Sequence, residues 1–388
     1  MVKKLLMVIA VLALLIPVAG CGPAPAETIK IGCVLSTTGL LGPMGERMMQ
    51  GAELAVQEIN AQGGVLGKQI ELVEENDNTE SAKCLERVKK LVEVDGVKVL
   101  VGGMISGATM ATGPYLADHE ILMVSPSATS PMISEQEWTN WVFRTCPDDN
   151  LQAKALAQLI VEGNYTRLAT MVQDNPYGVG LEGALVDVLN ETGWQGEHVV
   201  SIHFDPAKGD YLTELGQIAD ANPDIVLAVT YCDDGKVLFK QALDMGLDTI
   251  DWLGCDGNYG SGMFEEPKCA EFMEKAIIAG TVLSLGTSEF ASAYEARWGE
   301  APEVYCSSTY DAIKLIAQAI EQAGTYDSAA IKDALMGIGQ NYEGASGTIT
   351  FDEIGDRAKA TYEIWGVEKV NGEYNNVPTG HEPITCSK

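Results

Sequence analysis

Two loops about twenty residues apart carry the groups best able to hold a ligand. The first is Gly102-Gly103-Met104-Ile105-Ser106-Gly107-Ala108-Thr109, directly after the apolar run Val97 to Val101. The second is Ser125-Pro126-Ser127-Ala128-Thr129, directly after Ile121 to Val124. Each is a buried-strand pattern that breaks into small, hydroxyl-bearing residues. Such loops expose backbone N–H groups and hydroxyls at the carboxyl edge of a parallel sheet, where open α/β sheets bind ligands. Small side chains let a ligand approach the backbone. Backbone amides and a following helix N-terminus favour negative charge, so a carboxylate suits the place. Singly, each loop reads equally well as a strand-to-helix connection capped by Ser or Thr. Two in succession favour a site.

Other chemistry finds less support. Tyr177-Gly178-Val179-Gly180-Leu181-Glu182-Gly183 contains a literal G-x-G-x-x-G after a strand and at the start of a helix, the context of a dinucleotide fingerprint. Asp174 to Tyr177 separates strand from glycines, where the fingerprint wants a tight turn. No convincing ribose-binding acid follows the next strand beyond Asp205. An NAD enzyme is therefore a remote alternative. There is no G-x-S-x-G elbow, and the four histidines, His119, His198, His203 and His381, are scattered. Acidic pairs such as Asp233-Asp234 carry little information in a chain with 55 Asp and Glu. No CxxC or Cys/His cluster suggests zinc. No metal or cofactor is expected.

The elements that must position the loops alternate strand and helix. Ile29 to Leu35 is rich in β-branched residues. Gly45 to Asn60 places Met48, Ala52, Ala55, Val56 and Ile59 on one helical face, and Gly63-Gly64 suits its C-terminus. Strand Ile70 to Glu74, helix Ser81 to Glu93, and a helix from Ala108 to Asp118 between the two loop-bearing strands complete a run of βα units. Such a run implies a parallel sheet with right-handed crossovers. Pro147-Asp148-Asp149 interrupts it. The alternation then restarts, with strands expected at 168–172, 198–204, 225–230, 251–254 and 278–283. A helix from Ser307 to Ala323 and a β-rich tail, 348–351 and 362–370, close the chain.

The N-terminus reads as a targeting segment. Lys3 and Lys4 precede the apolar stretch Leu5 to Ile16, which is short for a membrane span. Val18-Ala19-Gly20-Cys21 resembles a lipoprotein cleavage box, with Cys21 as lipid carrier; plain secretory cleavage and an uncleaved anchor are the alternatives. Gly22 to Ala26 is a Pro/Ala tether. Removing the first 20 of 388 residues leaves 368, enough for two domains. A net charge of −30 repels nucleic acid and anionic lipid. It is spread along the chain and reads as a solvated surface. Eight cysteines besides Cys21 permit disulfides in an oxidising compartment, while several lie in apolar stretches that suit plain buried thiols.

At this point the residues resemble a family, the branched-chain amino acid binding proteins of ABC transporters, with the type I periplasmic binding-protein fold. The stretches that carry the resemblance, in order, are Ile29-Lys30-Ile31-Gly32, Gly51 to Ala55 with Ile59 to Gly64, the two loops, Phe143-Arg144-Thr145, Tyr177-Gly178 and Ser308 to Ala312. The resemblance implies two Rossmann-like three-layer α/β lobes joined by three hinge crossings, closing on a ligand selected by contacts to both. The crossings are placed near Cys146 to Asp149, Ala279 to Leu283 and Phe351 to Arg357. Lobe I is then 28–146 plus 282–352 and lobe II 147–281 plus 353–388, after a leader (1–20) and tether (21–27).

By the same resemblance, Ser106 and the Ser127-Ala128-Thr129 stretch hold an amino acid's head group, with backbone N–H groups of Ser127 and Thr129 on its carboxylate. Asp256, in Gly254-Cys255-Asp256-Gly257, stands where the family has a Glu for the ammonium. Tyr231 and Tyr177 match aromatic cleft residues. Met44 stands where the family has an aromatic residue, and Tyr305 where it has a phenylalanine, so the side-chain pocket differs. The implied function is an extracytoplasmic lipoprotein that delivers an amino acid, branched-chain or otherwise aliphatic, to an ABC permease as a monomer. It performs no chemistry. The rivals are a sensor subunit of the same fold and a receptor for another small carboxylate, amide or aromatic acid.

Overall fold

The computed structural model describes residues 27–388; the leader and the Cys21 lipidation site expected above lie outside them. Among the described residues, no helix is long and apolar enough to cross a membrane.

A first sheet is built from β1 (Ile29–Leu35), β2 (Ile70–Asn76), β3 (Val99–Gly102), β4 (Leu122–Ser125) and β5 (Val142–Arg144), in the order β2-β1-β3-β4-β5. All its ladders are parallel, with Ile31 opposite Leu72 and Gly32 opposite Leu100. Side chains alternate across a strand, and β1 uses both faces. Ile29, Ile31, Cys33 and Leu35 join the layer of the helix Gly42–Ala61, while Val34 packs with Cys84, Val88 and Leu91 of the helix Ser81–Glu93. A strand buried on both sides is what a parallel sheet covered by helices requires. The helix Cys306–Ala323 returns to pack along Gly42–Ala61.

The second sheet contains β6 (Arg167–Gln173), β7 (Glu197–Phe204), β8 (Ile225–Val229), β9 (Asp251–Gly254) and β10 (Ile277–Leu283). A small hairpin, β11 (Tyr342–Gly344) with β12 (Gly347–Ile349), precedes the last strands: β13 (Lys359–Val370), β14 (Glu373–Pro378) and β15 (Ile384–Ser387). The order is β14-β13-β10-β9-β8-β6-β7, with β15 also on β13. The ladders from β7 to β10 are parallel, and β13 closes the sheet antiparallel. Two sheets of the expected βα type are therefore present.

Three segments pass between the sheets, at residues 145–148, 284–287 and 350–358. The first is tied to the third by a bridge of Pro147 to Arg357, which also bridges Phe351 within the third. The second corrects an expectation. Ala279 to Leu283 is not a crossing, and the boundary placed between 281 and 282 falls inside β10. Val282 and Leu283 still pair with Glu363 and Tyr362. The tail is likewise longer than the two strands expected. Three helices went unread: Pro267–Ala276, Ser288–Trp298 and Ser328–Ile338. Their signals are local and present, since Glu266, Thr287 and Asp327 each accept a first-turn N–H. The eight described cysteines are free thiols, seven of them buried, which answers the choice between disulfides and apolar packing in favour of packing.

Candidate functional site

The carboxyl ends of both sheets face one cleft, whose atom-free volume is ≈ 330 Å³ with its mouth included. The first lobe brings Ser106, Ser127, Met44 and Tyr305 to it, and the second brings Tyr177, Tyr231 and Asp256. Seven residues drawn from the whole length of the chain thus share one wall. Ala128 and Thr129 do not line it. Ala128 is buried behind, its N–H donating to Ser125 Oγ at 3.1 Å and its carbonyl accepting from Arg144 Nη1 at 3.2 Å. Thr129 gives its hydroxyl to Asp149 Oδ2 at 3.0 Å.

The two loops hold each other. Ser125 Oγ donates to the Gly103 carbonyl (3.0 Å), Ser127 Oγ to the Met104 carbonyl (2.8 Å), and Ser106 Oγ accepts from the Ser130 N–H (3.2 Å). Hydroxyls that looked like ligand anchors serve largely as struts. The main-chain N–H groups of Ser127 and Thr129 have no protein acceptor among the described residues. Ser106 begins the helix Ser106–Asp118, whose first-turn N–H groups add positive potential at the cleft. Donor groups without protein acceptors gather at this edge.

The opposite edge carries a carboxylate. Asp256 follows β9 in a single 3-10 turn (Asp256–Asn258) and is 5% exposed. Tyr177 Oη donates to its Oδ1 at 2.9 Å and Tyr305 Oη to its Oδ2 at 2.6 Å. Tyr177 stacks on Tyr231 with ring centroids 5.5 Å apart and planes at 5°. Tyr231 opens the helix Cys232–Asp244, and its N–H bonds to Asp234, whose carboxyl burial raises to about 7. Burial, with neighbouring carboxylates behind it, holds the phenols of Tyr177, Tyr231 and Tyr305 well above their ordinary range. They remain hydrogen-bond donors throughout the physiological range.

Tyr305 departs from the expected pocket role. It adopts φ 65° and ψ −3°, the left-handed region, as the residue before the helix Cys306–Ala323. That conformation costs a residue with a β-carbon about 1 kcal/mol, and here it turns the hydroxyl across the cleft onto Asp256. The apolar side of the cleft instead comes from Met44 and three residues the sequence reading passed over: Leu41, Met104 and Ile105. Leu41 is one helical turn before Met44, and Met104-Ile105 lie inside the first loop. Spacing and adjacency were the available signals.

The lobes touch around the cleft, so the structure is a closed form. Ser130 Oγ donates to the Pro176 carbonyl at 2.7 Å and Ser261 Oγ to Glu303 Oε1 at 2.5 Å. The G-x-G-x-x-G stretch finds its explanation here. Its glycines lie inside the helix Pro176–Glu191, capped by Asn175. A β-carbon on Gly180 would stand 2.6 Å from Ser130 Oγ and 3.0 Å from Pro131 Cδ of the other lobe. Gly180→Val should therefore hold the lobes apart, weakening ligand binding roughly tenfold, about 1.4 kcal/mol, with little change in unfolding temperature. Titration calorimetry beside thermal denaturation checks this. Among the described residues, no group of three or more His, Cys, Asp or Glu is placed to hold a metal.

Residues 28–372 match a family model described as periplasmic binding protein. The chain belongs to the periplasmic binding protein family. Among curated relatives, the binding protein is 29% identical over 372 residues to Leu/Ile/Val-binding protein homolog 3 of Brucella melitensis, covering 91% of this chain and 95% of that one. Its fold matches the branched-chain amino acid transporter substrate binding protein LivJ of Streptococcus pneumoniae, solved with isoleucine. That match has TM-score 0.78 and 27% identity, covering 91% of this chain and 100% of that one. A solute binding protein of an ABC transporter from R. palustris, solved with benzoate, shares the fold at TM-score 0.78 and 20% identity, covering 92% and 98% of the two chains. The two-lobed α/β architecture of the binding protein is thus that of type I periplasmic binding proteins.

Proposed function

We propose that this protein is an extracytoplasmic substrate-binding lipoprotein that captures an α-amino acid with an aliphatic side chain and delivers it to an ABC importer. The observation that carries the reading is the pairing of opposite edges across one cleft. The unpartnered N–H of Ser127, with the first turn of the helix that Ser106 begins, faces a carboxylate, and Asp256, buried on the other lobe, faces an ammonium. A zwitterionic head group satisfies both. Met44, Leu41, Met104 and Ile105 form the apolar side against which an aliphatic side chain packs, the thioethers adapting to its shape. Binding contacts on both lobes favour the closed form over the open one, which is the signal an importer reads.

A ligand with a carboxylate and no amine, such as benzoate, leaves Asp256 buried against an apolar or anionic group, which is costly. Thermal denaturation with L-leucine, L-isoleucine, L-valine and benzoate separates the readings. At 100 times its dissociation constant a true ligand stabilises by about 2.7 kcal/mol. A shift with at least one of the amino acids is expected. A shift with benzoate and none with the amino acids overturns the reading.

A further inference from the structure

Two arginines are buried at the hinge, and their surroundings differ. Arg144 meets the carboxylate of Asp356 at two points. Arg357 is 2% exposed and has no carboxylate in contact among the described residues. Its Nε donates to the Lys359 carbonyl at 3.2 Å. Its Nη1 donates to the Thr145 carbonyl at 3.0 Å and to Ser346 Oγ at 3.1 Å, and its Nη2 to the carbonyls of Ser346 and Thr348 at 2.9 and 3.1 Å. The donors are satisfied by uncharged oxygens, and the charge is left over. Asp311 stands one hydroxyl away, where Ser346 Oγ donates to its Oδ2 at 2.7 Å. A buried charge that is hydrogen-bonded but not directly paired is costly. Burial accordingly weakens the guanidinium's hold on its proton, and Asp311 offsets this only in part.

Arg357 lines a cavity of ≈ 270 Å³ at the second and third crossings between the lobes. The hairpin β11–β12, tied to the helix Cys306–Ala323 through Asp311, walls it on one side, and the start of β13 walls it on the other. Ser284 reaches it from the second crossing. In a chain of net charge −30, this lining holds two cations, Arg357 and Lys359, and no acid. The carboxylates around it are engaged: Asp311 by the N–H groups of Ala345 and Ser346, Glu343 by the Thr348 hydroxyl at 3.1 Å, and Asp356 by Arg144. Among the described residues, Lys359 Nζ, Ser284 Oγ and Asn341 Nδ2 have no protein partner, and all three residues line the cavity. We propose that this hinge cavity binds a tetrahedral oxyanion, phosphate or sulfate, through Lys359, Ser284 and Asn341 in the field of Arg357. The chemistry of the lining selects that class. Two positive charges call for more than one negative charge, and donors spread around a cavity call for several acceptor oxygens. A halide offers neither, and a monocarboxylate neutralises one cation only. Lysine serves such anions as a point charge, which suits an ammonium left without a carboxylate.

The test is calorimetric titration of the full chain with sodium phosphate and with sodium sulfate, each against sodium chloride at equal ionic strength, with no amino acid present. Saturable binding of at least one oxyanion at one site per chain is expected, with half-saturation below about 10 mM. Lys359→Gln should weaken it roughly tenfold and Ser284→Ala roughly threefold. Neither side chain has a protein partner whose loss would unfold the chain. Lys369→Gln removes the same charge from the far end of β13, where the ammonium lies over the Tyr374 ring, and should leave binding unchanged. Absence of saturation by either oxyanion below that concentration overturns the proposal. Equal weakening by Lys359→Gln and Lys369→Gln also overturns it, because the effect is then general screening of an acidic protein. Neither result bears on which ligand the cleft takes.

Discussion

Asp256→Ala is expected to lower amino-acid affinity about 100-fold, while leaving the protein folded. Truncating one partner of a buried, hydrogen-bonded charge pair costs about 2–5 kcal/mol, because the other charge stays buried without compensation. In the proposed function, the ammonium of a bound amino acid is that other charge. Asp256→Asn separates charge from shape, since it keeps the volume and one acceptor for the hydroxyls of Tyr177 and Tyr305 that now meet the carboxylate. Its affinity should fall nearly as far as that of the alanine variant. Calorimetric titration with L-leucine, L-isoleucine and L-valine measures both. Retained affinity in Asp256→Asn would remove the ion pair from the reading and leave Tyr177 and Tyr305 as the head-group contacts.

The largest expected effect on stability comes from Arg144. The side chain ends β5, is fully buried, and reaches both lobes' shared hinge. Its Nε donates to Asp356 Oδ1 at 2.5 Å and its Nη2 to Asp356 Oδ2 at 2.6 Å, the two-point geometry that Arg makes with a carboxylate. The remaining donors hold the carbonyls of Ala128 and Ser130 and the hydroxyl of Ser134. Arg144→Met leaves Asp356 buried with only Lys388, at 3.1 Å, as a cation. Such a loss costs about 3–5 kcal/mol. Because the freed carbonyls, of Ala128 and Ser130, lie in and just after the Ser127–Thr129 segment, ligand affinity should fall with stability. Chemical denaturation of Arg144→Met, Asp356→Leu and the double variant measures the coupling. The double variant should recover part of the loss, since it buries no lone charge.

The same pair sets a response to acid. Burial alone would raise the Asp356 carboxyl, but Arg144 against it more than reverses this and holds it down at about 2, below about 3.9 in an unfolded chain. A depressed carboxyl contributes stability that is complete above the unfolded value and is lost as pH falls from about 4 toward 2. The wild type should lose stability across that window, and Asp356→Leu should show a shallower dependence.

Much of the frame was legible in the residues. Apolar runs such as Val226 to Val229 and helical faces such as Met48, Ala52, Ala55 and Ile59 identify their elements, because burial on a parallel sheet demands those patterns. The loops after β3 and β4 were legible for the same reason: small residues at a strand's carboxyl end mark a backbone left open. Three short helices were missed although a capping residue opens each, and in two of them apolar residues recur at helical spacing: Cys269, Phe272, Met273 and Ala276, and Ile331, Ala334 and Leu335. A crossing and a lobe boundary were set inside β10 because nothing local shows that Val282 and Leu283 pair with residues some eighty positions later.

By itself the sequence determined the alternation of strands and helices, the two small-residue loops at strand ends, and seven side chains that meet in one cleft. Those properties follow from local patterning or from residue types matched in order along the chain. Only the tertiary structure decided what each polar group spends itself on. It turned the loop hydroxyls inward as struts and swung Tyr305 through a left-handed backbone onto Asp256. It also buried Arg357 at a hinge cavity and spent its donors on uncharged oxygens. Hydrogen bonding is exclusive and short-ranged, so which partner wins is settled by distances that the chain acquires only when its two lobes come together.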